Sequence, residues 1–127
     1  MSRSLFFVII AVVGLFFAGP MLLAPSMFAL SAGLSASAEN AFLFRALGGM
    51  ILSVTIANFL VRNHPESATL AAVLWMNLAF HVLAIAIDLL GVVQGLITIA
   101  HFVPGLVVHA AIAFGAFYYI NRISPAR

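Results

Sequence analysis

Two apolar runs, joined by the short sequence Gly91-Val92-Val93-Gln94-Gly95, fill residues 68–120. Each is long enough to cross a bilayer, which takes about 20 residues of helix. Among their Leu, Ile, Val, Phe and Ala stand Asn77, His81, Asp88, His101 and His109. Hydrocarbon solvates neither a charge nor an amide, so such groups must face one another or a polar cavity. An ionisable residue at membrane depth marks a functional site by default.

The first half of the chain has the same character. Leu5–Leu23 is one apolar run and residues 41–61 another. With 65% hydrophobic and 6% charged residues, the chain falls far below the charge content of soluble domains, about a quarter of residues. The expected fold is all-α, an integral membrane antiparallel four-helix bundle, with helices at about 5–24, 41–61, 68–90 and 96–120 in one membrane domain spanning 1–127. The run behind Met1-Ser2-Arg3-Ser4 resembles a signal peptide, but Phe16, Phe17 and Ala18 precede Gly19 and Met21-Leu22-Leu23 stay apolar. It therefore reads as a retained first helix ended by Pro20 and Pro25. Ser26–Asn40 reads as a loop or interfacial turn, in part a short surface helix presenting Met27, Phe28, Leu30 and Leu34 on one side. Pro65 in Arg62-Asn63-His64-Pro65-Glu66-Ser67 stops the second helix; there His64 reads as solvated and Arg62 as the surface partner of Glu66.

Four crossings put the N-terminus, the 62–67 turn and the polar tail Asn121–Arg127 on one side, with Arg3, Arg62, Arg122 and Arg127; the other side holds Arg45 alone. The positive-inside rule then places the protein in the cell inner membrane as a multi-pass protein with both termini cytoplasmic. Five scattered arginines and no lysine offer no track for a phosphate backbone, which excludes nucleic acid as a partner. Without cysteine there is no disulfide, thiolate metal site, iron–sulfur cluster or thiol-based quinone reductase chemistry.

Pro20 and Pro25 with Phe28 close behind, a small-residue stretch, and Phe44-Arg45-Ala46-Leu47-Gly48-Gly49 opening the second helix together resemble the small bacterial four-helix membrane proteins of the DoxX-like and related uncharacterised families. The resemblance covers most of the chain by layout and is specific around residues 45–49. It implies a four-helix membrane fold and, from some family members, a place as subunit of a quinone-linked oxidoreductase. The cysteines of redox-active relatives have no counterpart here.

At 100° per residue, Asn77, His81 and Asp88 fall within about 40° of one another on the third helix. His101 and His109 lie about 80° apart on the fourth, with Gly105 between them. The rise per residue sets two tiers. Arg45, Asp88 and His101 form the outer one, rimmed by Glu39, Asn40 and Gln94; His81 and His109 form the inner one, with Asn77 below. Trp75 either lines the cavity or packs on lipid, and Ala111-x-x-x-Gly115 is a helix-contact signal.

The leading expectation is a pocket near the outer leaflet that takes a small lipophilic molecule. Asp88, His101 and Arg45 are the candidate catalytic groups for acid–base chemistry of an isomerase, cyclase or epoxide-opening type. Asn77, His81, His109, Glu39, Asn40 and Trp75 are candidate ligand contacts, and no metal site is expected because the gap between tiers exceeds a metal's reach. Against this stand a register-fixing internal salt bridge, a haem- or quinone-binding redox subunit using His81 and His109, and a non-catalytic accessory subunit of a larger membrane complex or homo-oligomer. No cofactor is favoured, with haem the minority reading. The lipid bilayer is the one partner composition requires.

Overall fold

The computed structural model describes residues 1–123, so Arg127, counted in the charge asymmetry above, lies outside the described residues. Five helices follow in order: α1 (Arg3–Leu23), α2 (Pro25–Ser31), α3 (Ala38–Val61), α4 (Ala68–Val93) and α5 (Ile99–Ile120). Among the described residues there is no strand. α1, α3, α4 and α5 are each long and apolar enough to cross a membrane. Their surfaces agree with that: Phe16, Val93 and Phe114 are each more than 70% exposed, an arrangement hydrocarbon tolerates and water penalises.

The helix ends depart from the sequence expectation in instructive ways. Pro20 does not end α1 but lies inside it, and the ladder resumes past it as the Ala24 N–H donates to the Pro20 carbonyl at 2.9 Å. Pro25 opens α2 instead, at a position where its missing N–H costs nothing. α2 closes in a Schellman arrangement: Leu34 N–H reaches the Ala29 carbonyl, Gly33 N–H that of Leu30, and Gly33 takes φ +80°. α4 runs on through Gly91 and ends the same way, with Leu96 N–H on the Gly91 carbonyl, Gly95 N–H on that of Val92, and Gly95 at φ +70°. The reversal thus begins at Gln94 rather than Gly91. Ser37 and Ser67 start α3 and α4, their hydroxyls accepting from the Asn40 and Leu70 amides at 3.2 Å each.

The chain divides into two compact units. In the first, Ser4–Arg62, α1 and α3 meet through small residues. Gly14 faces the Thr55 hydroxyl, and Gly48 lies against Ala18, Met21 and Leu22. As numbers rise along α1 they fall along α3, so the two helices run in opposite directions. α2 packs on α3 with Phe28 and Phe44 5.2 Å apart between ring centroids.

The second unit holds α4, α5 and Met1–Arg3. α4 and α5 form an antiparallel hairpin, shown by the pairing of Gly91 with Ile97, Asp88 with Gly105 and His81 with His109. Its end away from the loop is tied to the first residues. The Arg3 guanidinium donates to the His64 carbonyl at 2.8 Å and pairs with Glu66 at 3.5 Å, and the Tyr119 hydroxyl donates to the Met1 carbonyl at 2.7 Å. Glu66 is therefore the partner of Arg3, not of Arg62, whose guanidinium lies over the Phe59 ring and donates to the Phe59 carbonyl. His64 is not simply solvated either: its Nδ1 lies 3.3 Å from the Ser67 hydroxyl that caps α4.

A Cβ at Gly14 would overlap the Thr55 hydroxyl, and one at Gly48 would stand 2.8 Å from the Met21 Cβ, whereas one at Gly19 meets nothing within 4 Å. Gly14→Ala and Gly48→Ala are expected to cost about 1–3 kcal/mol each. Gly19→Ala should be neutral or slightly stabilising, all three read by thermal unfolding in detergent.

Candidate functional site

The polar stripe computed for the third spanning segment becomes the inward face of the α4–α5 hairpin. Leu70, Leu74, Asn77 and His81 are the buried residues of α4, at the three- and four-residue spacing of one helical face. On α5 the buried set is Ile112, Ala113, Ala116 and Tyr119. Ala111, the small residue singled out for helix contact, is exposed. Every buried residue of the hairpin thus lies in the half away from its loop, and from Val82 to Val108 none is buried. The boundary between the halves is the histidine pair.

His81 and His109 meet there with their Nδ1 atoms 2.7 Å apart and ring centroids 5.0 Å apart at 44°. A contact that short between two ring nitrogens is a hydrogen bond, so one ring supplies an N–H and the other a lone pair. Each ring thereby satisfies its Nδ1 without water. An iron held axially between these two nitrogens, on opposite sides at about 2 Å each, would need them about 4 Å apart. Iron does not fit between the rings as they stand, and among the described residues no group of three His, Cys, Asp or Glu side chains comes together to hold a metal ion. Asn77, one turn from His81, donates to the Val73 carbonyl at 2.8 Å and is fully buried.

Asp88 lies two turns from His81 toward the loop and is half-buried. Its Oδ2 stands 3.6 Å from where a Cβ would be at Gly105, so the missing side chain of that glycine makes the space the carboxylate fills. Gly105 is one turn from His109 on α5, and Asp88 and His109 interact electrostatically. Just before it, Pro104 lacks the N–H that would close on the Ala100 carbonyl, leaving that backbone acceptor without its helical donor.

His101 takes a different position. It is exposed in the first turn of α5, its Nδ1 2.8 Å from the Thr98 hydroxyl, and among the described residues no hydrogen bond or ion pair joins it to Asp88. The residue level with Asp88 on α5 is Gly105, one turn deeper than His101. The structure thus brings Asn77, His81, His109 and Asp88 onto one seam and leaves His101 at the mouth of the hairpin. Trp75 is 55% exposed and, about 120° around α4 from His81, is off that seam. Arg45, exposed, and Glu39 and Asn40 belong to α3 in the other unit; Asn40 bonds back to Ser35 at the start of that helix. Gln94 caps the end of α4.

Two buried polar residues escaped the sequence reading. Thr55 and Asn58 on α3 are 4% and 1% exposed, and a hydroxyl and an amide three residues apart in an apolar run were as visible as Asn77. Family models, curated proteins and solved structures contain no match to this chain, so the geometry alone carries the functional reading.

The histidine bond has a measurable consequence. In a double-mutant cycle, His81→Ala and His109→Ala should couple by about 0.5–3 kcal/mol in reversible unfolding, and additive losses would show that the bond does not form in the folded protein.

Proposed function

We propose that the protein is a four-span antiparallel bundle of the inner membrane, both termini cytoplasmic, that binds a small lipophilic molecule at the loop half of the α4–α5 hairpin and exchanges a proton with it through Asp88. The observation that carries this reading is the Asp88 carboxylate lying over Gly105, in the half of the hairpin where no side chain is buried. Leaving an apolar-walled carboxylate there is costly unless a polar partner joins it, and the polar end of a lipophilic molecule is such a partner. The apolar body of that molecule would lie along exposed side chains such as Ile87 and Val103.

The chemistry follows from what the seam contains. A carboxyl group and an imidazole on facing helices form a donor and an acceptor of protons, the pair that isomerisation, cyclisation or epoxide opening needs. His109 takes the place beside Asp88 for which the spacing alone suggested His101.

Native mass spectrometry of the protein released from lipid nanodiscs should show a lipophilic adduct that Gly105→Phe removes, since a ring there occupies the carboxylate's space. Asp88→Asn should lower turnover of the molecule so identified by about 100-fold or more. An adduct unaffected by both changes would place binding elsewhere. For orientation, the cysteine-free chain permits single-cysteine labelling: Ser2→Cys and Asn63→Cys should react only from the cytoplasmic face, and Gln94→Cys only from the opposite one.

A further inference from the structure

We infer that His81 and His109 form a two-position proton shuttle that serves Asp88. The 2.7 Å bond joins the rings Nδ1 to Nδ1, which leaves each Nε2 as an outer terminus of the pair. In the neutral couple one ring carries its proton on Nδ1 and has a lone pair on Nε2; the other carries its proton on Nε2 and accepts at Nδ1. A proton arriving at the free Nε2 of the first ring makes it an imidazolium. Its Nδ1 proton crosses to the second ring, which then releases the proton on its own Nε2. One proton enters, one leaves, and no charge remains in the hydrocarbon.

The transfer also reverses the couple. The ring that donated now accepts, so the next proton passes most readily in the opposite direction. A one-way channel cannot run on such a pair without both rings resetting between steps, but a reversible acid–base cycle can. Asp88 needs that service, because a carboxyl group that gives its proton to a bound molecule must recover one where bulk water is excluded. The carboxylate stands over Gly105, one turn of α5 from His109, and the two groups interact electrostatically. Asn77 below His81 donates to the Val73 carbonyl, and its amide carries no titratable proton to pass on.

The shuttle rests on the proposed role of Asp88, but the couple can be tested separately from the ligand. In protein labelled with 15N-histidine, NMR at neutral pH should find one protonated Nδ1 per couple and a through-bond 15N–15N coupling between His81 and His109. Exchange between the two polarities should average their Nδ1 signals in the wild type, and Asp88→Asn should slow that exchange at least tenfold and split the signals. Two unprotonated Nδ1 atoms, or line shapes identical in Asp88→Asn, would overturn the shuttle. A role in packing alone predicts the coupling without the effect of Asp88. The same preparations, examined by native mass spectrometry, distinguish the two ideas. An adduct retained in His81→Gln while the exchange is lost leaves ligand binding standing, and an adduct missing from the wild type removes the ligand reading whatever the histidines do.

Discussion

On helices long and apolar enough to cross a membrane a polar group has few partners but other polar groups of the protein, and the hydrogen bond between His81 and His109 is where this chain meets that condition most directly. Two imidazoles that would each be costly alone become one neutral couple when linked nitrogen to nitrogen, with one nitrogen of each ring satisfied. The bond also fixes the register of α4 on α5, since a slip of one residue on either helix turns one ring about 100° away. Packing follows the same division. Leu70 and Leu74 on α4 and Ile112, Ala113 and Ala116 on α5 fill the half beyond the rings, whereas the half toward the loop stays unburied around Asp88.

The two units solve helix contact by different means. α4 and α5 are joined by side-chain polarity, α1 and α3 by the absence of side chains: Gly14 admits the Thr55 hydroxyl and Gly48 admits Ala18, Met21 and Leu22. In a bilayer both are sound, because lipid tails are as apolar as leucine and association relies on close backbone approach or interhelical hydrogen bonds.

Much of this was legible in the residues. Four spans followed from hydropathy, and the gathering of Asn77, His81 and Asp88 on one face followed from the angle per residue, because helix geometry is rigid enough to carry over eleven positions. The equal depth of His81 and His109 followed from the short reversal between their helices. What could not be read depends on local competition. Pro20 and Pro25 look alike as breakers, yet one is absorbed by α1 and the other opens α2. The Thr98 hydroxyl, three residues away, takes the Nδ1 of His101, and Arg3, distant in sequence, takes Glu66 from Arg62. A nearby hydroxyl or a better-placed cation decides such contests, and spacing does not rank them.

The latch between the Tyr119 hydroxyl and the Met1 carbonyl joins positions 118 residues apart. Its closure waits for α5 to form, so residues 1–3 and the far end of α5 take up their places together, each holding the other in position.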